Sequence, residues 1–288
     1  MSLDRRTFLK TLGVVGLSLT VGDVLASEDK KEKSIEFYGV LYDSSRCVGC
    51  QTCENMCAMA NDVHAPDGKP KTGLVRKTDE GHRTVINSYN TSKGEVFIKK
   101  QCMHCNDPAC VSACLTKAMY KTKEGPVIWR GEKCMGCRYC MVSCPFDIPK
   151  FEYFSSNPKI EKCTMCFDKI QTGKAPACTQ DCPAQALKFG TRRELLKEAH
   201  KRIVEHPEIY VDEIYGEQVA GGTAFLYLSP VPFNELGENT SLQNKSYPEL
   251  SKGFLYSVPS VFVLIPPILL GIYEATKNNK NKENDENE

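Results

Sequence analysis

The sequence predicts an α+β protein in which cysteine tetrads alternate with short helical turns and strands, closed by one C-terminal transmembrane helix. Three observations carry this reading. All sixteen cysteines fall into four tetrads. Short strand patterns follow the tetrads in a repeating order. An uncharged apolar run, FLYSVPSVFVLIPPILLGIY, stands near the end at Phe254 to Tyr273.

The central stretch, Cys102 to Cys144, sets the chemistry. Cys134, Cys137, Cys140 and Cys144, followed by Pro145, have the spacing C-x2-C-x2-C-x3-C-P. That is the bacterial ferredoxin run, in which three cysteines bind one [4Fe–4S] cluster and the fourth reaches a different one. Cys102, Cys105, Cys110 and Cys114 keep the plan with a wider gap, C-x2-C-x4-C-x3-C. Two tetrads that each keep three ligands and lend one make a closed two-cluster unit. An even cysteine count in an exported chain also suggests disulfides, and C-x2-C pairs occur in zinc ribbons. Adjacent pairs suit a metal centre better than separate staples, and the further cysteines at short intervals favour iron–sulfur over zinc. The 37 basic and 36 acidic residues nearly balance, so nothing argues for nucleic acid as a partner.

The chain opens MSLDRRTFLKTLGVVGLSLTVGDVLAS, where Arg5-Arg6 and the Phe8-Leu9-Lys10 that follows resemble a twin-arginine export signal. Val24-Leu25-Ala26 fits a small-residue cleavage site, so residues 1–26 read as a signal peptide and the mature chain as starting near Ser27. The apolar core is too short and too rich in glycine for a comfortable membrane span. The twin-arginine route carries folded proteins, which suits clusters assembled before export.

Phe37 to Tyr42, ending at Asp43-Ser44-Ser45, reads as a strand and turn. The tetrad Cys47, Cys50, Cys53 and Cys57 follows. Gly49 and Gly136 occupy the same place in their tetrads, and a residue without a side chain lets backbone N–H groups approach the sulfurs. Residues 58–101 form an insert. Asn61 to Gly81 reads as loop, while Thr84 to Tyr89 and Glu95 to Ile98 read as a hairpin that either faces a partner or covers the first tetrad. His64 and His82 read as solvated loop histidines. Ala118 to Lys121 and Val127 to Trp129 read as strands around Gly125-Pro126, with Trp129 as core packing.

The last tetrad is Cys163, Cys166, Cys178 and Cys182, with an inserted loop in its widened gap around Gly173 to Pro176. Ala186 to Gly190 reads as the strand after it. Thr191 and Glu194 form a capping box that opens a helix to about Glu205, with Leu195, Leu196, Ala199 and Ile203 on one face. Thr223 to Ser229 reads as an apolar strand and Glu238 to Ser251 as a polar linker. Residues 27–237 are thus the cluster domain, 238–251 the linker, 252–276 the membrane anchor and 277–288 a tail. Lys277, Lys280 and Lys282 after the span predict a cytoplasmic C-terminus. The cluster domain then lies in the periplasm, attached to the cytoplasmic membrane.

The strings LYDSSRCVGCQTC, FIKKQCMHCNDPACVSAC, GCRYCMVSCPFDIPKF, FGTRRELL and GGTAFLYLSPVPF, with the signal and the single C-terminal span, resemble the four-cluster electron-transfer subunits of respiratory oxidoreductases. That superfamily includes the iron–sulfur subunits of formate dehydrogenase, dimethyl sulfoxide reductase and polysulfide reductase. The likeness is greatest to the iron–sulfur subunit of membrane-bound periplasmic [NiFe] hydrogenases of the hydrogenase-2 type.

The resemblance implies two interleaved ferredoxin-like halves with inserts, four [4Fe–4S] clusters and all sixteen cysteines as iron ligands. Cys47, Cys50 and Cys53 would share a cluster with Cys182, and Cys163, Cys166 and Cys178 one with Cys57. Cys102, Cys105 and Cys110 would pair with Cys144, and Cys134, Cys137 and Cys140 with Cys114. The proline expected after the fourth cysteine is absent at Ala58 and Leu115. The implied role is non-catalytic electron relay in anaerobic respiration. It would run between the small and large subunits of a [NiFe] hydrogenase and a multi-span quinone-reactive membrane subunit. The same relay serving a molybdenum enzyme is the alternative. No nucleophile–base pair, phosphate loop or dinucleotide fingerprint accompanies the cysteines. The inserts widen only the outer half, which the sequence suggests as one partner interface.

Overall fold

The computed structural model describes residues 36–285. The export signal expected over residues 1–26 lies outside them. The apolar run after Glu36 forms β1, Tyr38–Asp43. The first tetrad enters helix α1, Thr52–Asn61. After an irregular loop the hairpin strands are β2, Thr84–Thr91, and β3, Gly94–Gln101. There follow α2, Ala109–Ser112, then β4, Met119–Lys121, β5, Val127–Trp129, and α3, Tyr139–Val142. Next come β6, Lys150–Phe151, β7, Ile160–Glu161, α4, Phe167–Gln171, and α5, Ala177–Gln180. The chain continues through β8, Leu187–Thr191, α6, Arg192–Glu205, β9, Phe225–Leu228, and the long α7, Tyr247–Asp285.

The architecture is mixed α/β with small sheets. A three-stranded sheet of order β8-β1-β9 is its largest, and β2-β3, β4-β5 and β6-β7 are two-stranded. β1 is antiparallel to β8, with Val40 opposite Phe189, and parallel to β9, with Leu41 opposite Leu226. Side chains alternate across a strand, so β1 serves two cores. Leu41, with Leu226 and Leu228, packs under Leu195, Ala199 and Ile203 of α6. Val40 and Tyr42 face the other way, into a larger core with Ile86, Ile98 and Tyr227. The first and last strands of the domain thus close on each other around the cysteines.

The hairpin runs longer than its apolar pattern predicts, because its tip is held from outside. Ser92 N donates to Glu235 Oε2 at 2.9 Å, and Lys93 Nζ reaches the carbonyls of Glu208 and Ile209. It packs over the first tetrad: Ile86 N donates to Glu54 Oε1 on α1 at 2.7 Å, and the Phe97 ring abuts Gly49.

Two expectations change. The widened gap of the last tetrad is partly helical, since α4 buries Ile170 in the large core. The polar stretch read as a linker is strapped to the domain. Ala220 N donates to Gln243 O at 2.8 Å, Tyr215 Oη to Asn239 O at 3.3 Å, and Lys100 pairs with Glu238. Backbone bonds and one ion pair do this work, which polar composition does not reveal. α7 begins at Tyr247, and its start is tied down where Ser246 Oγ donates to Asp107 Oδ2 at 2.6 Å.

Within Tyr247–Glu274 an eighteen-residue window reaches a mean hydropathy of 2.0, and none of that window is buried. By length and composition it is a candidate membrane span. Pro259, Pro266 and Pro267 lie inside the helix.

The capping box is present as read: Glu194 N donates to Thr191 Oγ1 and Thr191 N to Glu194 Oε2. Thr191→Ala should therefore cost about 1 kcal/mol, seen as a lower urea midpoint with an unchanged slope.

Candidate functional site

Each tetrad bends the same way. The residue two after the first cysteine is left-handed in all four: Gly49 at φ 66°, His104 at 48°, Gly136 at 71° and Met165 at 54°. This turn aims the following N–H back at the sulfur. Gly49 N–H donates to Cys47, and Met165 N donates to Cys163 Sγ at 3.3 Å. At Gly49 a Cβ would also lie 2.4 Å from the Phe97 ring, so glycine is required there twice over. The third cysteine is the second residue of a helix every time: Cys53 of α1, Cys110 of α2, Cys140 of α3 and Cys178 of α5. All four are buried. After the fourth cysteine the chain turns sharply in three tetrads. Lys117, Asp147 and Gln185 are left-handed and donate to the carbonyls of Cys114, Cys144 and Cys182. In the first tetrad α1 simply runs on.

These turns gather the thiols across tetrads rather than within them. Cys47, Cys50 and Cys53 line one pocket with Cys182, walled by Tyr42, Ile86 and Leu187 (group A). Cys163, Cys166 and Cys178 line another with Cys57, walled by Lys99, Met165 and Phe225 (group B). Cys105 is surrounded by Cys102, Cys110 and Cys144 (group C). Cys140 is surrounded by Cys114, Cys134 and Cys137 (group D). Neighbouring groups touch electrostatically in one order: Cys53 of A with Cys178 of B, Cys163 of B with Cys102 of C, Cys110 of C with Cys140 of D. The exposed cysteines are Cys50 and Cys137, in the two end groups.

The donor set fits a [4Fe–4S] cluster in each group. Four thiols with backbone N–H bonds to sulfur are what such clusters use. No disulfide joins any of the sixteen cysteines. Among the described residues no three His, Cys, Asp or Glu side chains stand close enough for a single ion, whereas zinc draws its four sulfurs into mutual contact.

Burial pushes the Cys57 and Cys110 thiols up to about 12 and those of Cys140 and Cys144 to about 11. Burial also raises Cys53, Cys163 and Cys178, although Lys99 pulls each of them back. Cys114 runs the other way, its slight burial outweighed by hydrogen bonds from Met119 N–H and Thr116. The pockets alone do not make thiolates at neutral pH; coordination to a metal centre does.

Sequence reasoning missed the charged and polar groups between the pockets. Lys99 and Lys162 are 1% and 3% exposed. Burial works against the charge of Lys99, but Cys178, Cys53, Cys163 and Cys57 more than offset it and raise its pKa. His104 is fully buried. Its Nδ1 accepts from Val127 N at 2.9 Å, so the ring proton sits on Nε2, which has no partner. The signal available was a lysine close before a cysteine, Lys99 three residues before Cys102 and Lys162 directly before Cys163, which composition cannot separate from a surface lysine. Of the insert histidines, His64 is exposed as expected, whereas His82 is largely covered: its ring bonds to Asp79 and Ala65 O and meets His64 edge-on. Trp129 packs against the cluster of Cys110, Met119, Val127 and Cys140.

Residues 94–192 match the 4Fe-4S dicluster domain family. A protein of Nitratidesulfovibrio vulgaris is 44% identical over 286 residues, covering 96% of this chain and 77% of its own length. Hydrogenase-2 operon protein HybA of Escherichia coli O157:H7 is 32% identical over 289 residues, 86% of either chain. The iron-sulfur subunit of the nitrate-inducible formate dehydrogenase of Escherichia coli strain K12 is 33% identical over 197 residues, covering 65% of this chain and 66% of its own.

The first tetrad depends on one buried ion pair. Glu54 of α1, 2% exposed, accepts from both Arg76 Nη2 and Ile86 N. Arg76→Ala strands that carboxylate and should cost about 3 kcal/mol, measured by denaturant unfolding.

Proposed function

The chain belongs to the family of HybA and the formate dehydrogenase iron–sulfur subunits, and on that premise we propose that it relays electrons through four [4Fe–4S] clusters. The clusters are held by groups A to D: Cys47, Cys50, Cys53 and Cys182; Cys57, Cys163, Cys166 and Cys178; Cys102, Cys105, Cys110 and Cys144; Cys114, Cys134, Cys137 and Cys140. This makes the domain two interleaved ferredoxin-like halves, because each group borrows its fourth thiol from a distant tetrad. The observation that carries the reading is the file of four groups of four thiols, whose exposed cysteines, Cys50 and Cys137, belong to the end groups.

When bound, each cluster takes up and releases one electron. The chain supplies the rest. Its thiolates fix the spacing, its apolar walls exclude water, and N–H groups such as those of Gly49 and Met165 bond to sulfur and tune potential. The chain itself is non-catalytic.

The file has two ports. α7 starts beside Asp107 and Ala109, and a pocket between them is lined by Ser112, Ala113 and Ser143, which flank Cys114 and Cys144. Groups C and D therefore adjoin the candidate anchor, which supports D as the port to a quinone-reactive membrane subunit. Group A, under the inserted hairpin, is the port to the catalytic partner. HybA's standing as a hydrogenase-2 operon protein supports a periplasmic [NiFe] hydrogenase in that place. The formate dehydrogenase relatives support a second reading, the same relay serving a molybdenum enzyme. Residues 1–26 would direct twin-arginine export, with the cluster domain in the periplasm and the C-terminus in the cytoplasm.

Anaerobic assay should find about sixteen irons and as much sulfide per chain, four of each for every cluster. Zinc in their place would end the relay reading. Nickel in the co-purified complex identifies a hydrogenase, and molybdenum without nickel overturns that partner. Cys144→Ser should damage the cluster of Cys102, Cys105 and Cys110; loss of the Cys134, Cys137 and Cys140 signal by EPR instead would refute the exchange.

A further inference from the structure

A lysine is almost never fully buried unless it is paired, and two such lysines stand between the thiol groups. Lys99 lines the pocket of group B together with Cys57, Cys163, Cys166 and Cys178. Its Nζ donates to Thr84 Oγ1 at 2.6 Å and to Gln101 Oε1 at 2.9 Å, both neutral oxygens. Lys162 immediately precedes Cys163 of group B. Its Nζ donates to the carbonyls of Val127 and Cys163 and lies 3.8 Å from Cys102 Sγ of group C. None of these partners is a carboxylate. The oxygens orient the two ammonium groups, but none of them carries a negative charge.

We propose that Lys99 and Lys162 are the fixed counter-charges of the proposed clusters, Lys99 at the junction of groups A and B and Lys162 at the junction of B and C. The inference rests on the four-cluster reading. A [4Fe–4S] core with its four thiolates is a net anion, and reduction adds one more negative charge. In a water-excluded interior a nearby cation acts far more strongly than it would in solvent, and it favours the more negative, reduced state. Each lysine thereby raises the reduction potential of the clusters it touches. Group B feels both charges, and group D feels neither directly. The inner part of the file is thus made easier to reduce than its burial alone would leave it, since burial disfavours the extra charge. These are positioning charges, not catalytic residues.

The test uses the full chain purified anaerobically, with irons counted and each EPR-resolved cluster titrated potentiometrically. The wild-type iron count judges the four-cluster reading by itself, so its failure is separate from failure here. Lys99→Met keeps the apolar stem and removes the charge; with irons retained, the potentials of the A and B clusters should shift negative. Lys162→Met should shift those of B and C, and the D cluster should hold still in both. Lys99→Gln keeps a hydrogen-bonding end without charge and should shift as Met does, whereas Lys99→Arg should restore the wild-type value. Unmoved potentials in fully loaded Met variants overturn the proposal. Loss of irons in Met and Gln but not in Arg supports it, because charge alone separates those variants. Loss in all three overturns it in favour of a steric tether.

Discussion

The third cysteine of every tetrad is carried inward as the second residue of a helix, and the sulfur it brings is shut off from the solvent that would stabilise a thiolate. Burial, with the neighbouring thiols adding to it, holds these thiols in the protonated form. A thiol that must become a ligand in such a place needs positive charge, and the fold has little to give except metal and lysine. Much of the architecture follows from that need. The left-handed turn after the first cysteine delivers an N–H group to sulfur at Cys47 and Cys163. The sheet that joins β1 to β8 and β9 closes the two ends of the domain over the pockets. The hairpin of β2 and β3 adds the wall that groups A and B share, with Ile86 facing one and Lys99 the other.

The parts of this fold that repeat at short range were legible in the sequence. Cysteine spacing located the tetrads, apolar alternation located the hairpin strands, and Thr191 with Glu194 located the start of α6. The parts decided by long-range backbone bonds were not. Residues 238–246 are polar and look slack, yet they are held by hydrogen bonds from Ala220 N–H and from Tyr215 Oη. Ile170 draws α4 into the core because a pocket is waiting for it, not because five residues have a helical pattern. The site shows the same division. Gly49 and Gly136 announced their backbone geometry, whereas His104 and Met165 adopt it with side chains present. Lys99 is buried only because Thr84 and Gln101 accept hydrogen bonds from its ammonium group and thiols surround it. Neither condition is visible from the residue itself.

The end groups differ in setting as well as position. Around D, Met135, Tyr139, Val142 and Leu115 are exposed, and Phe154 is fully so. Beside the cysteines of A the exposed large apolar residue is Val48. Groups B and C are wrapped in protein, and their cysteines are buried or half-buried. In the proposed relay such a build would let electrons pass only at the ends, since a buried middle would exclude dioxygen and stray acceptors.

The clamp between Ser246 and Asp107 stands one residue before the first turn of α7 and two residues before Ala109, the start of α2. No free chain separates the body of the protein from its long helix. A domain hung on slack chain would tumble and present a new heading to the bilayer at each instant. One fastened at the root of its own mast keeps a single heading once that mast is embedded. The height of group D above the lipid then becomes a constant of the fold, and what a neighbour in the bilayer meets is an aligned contact rather than a passing one.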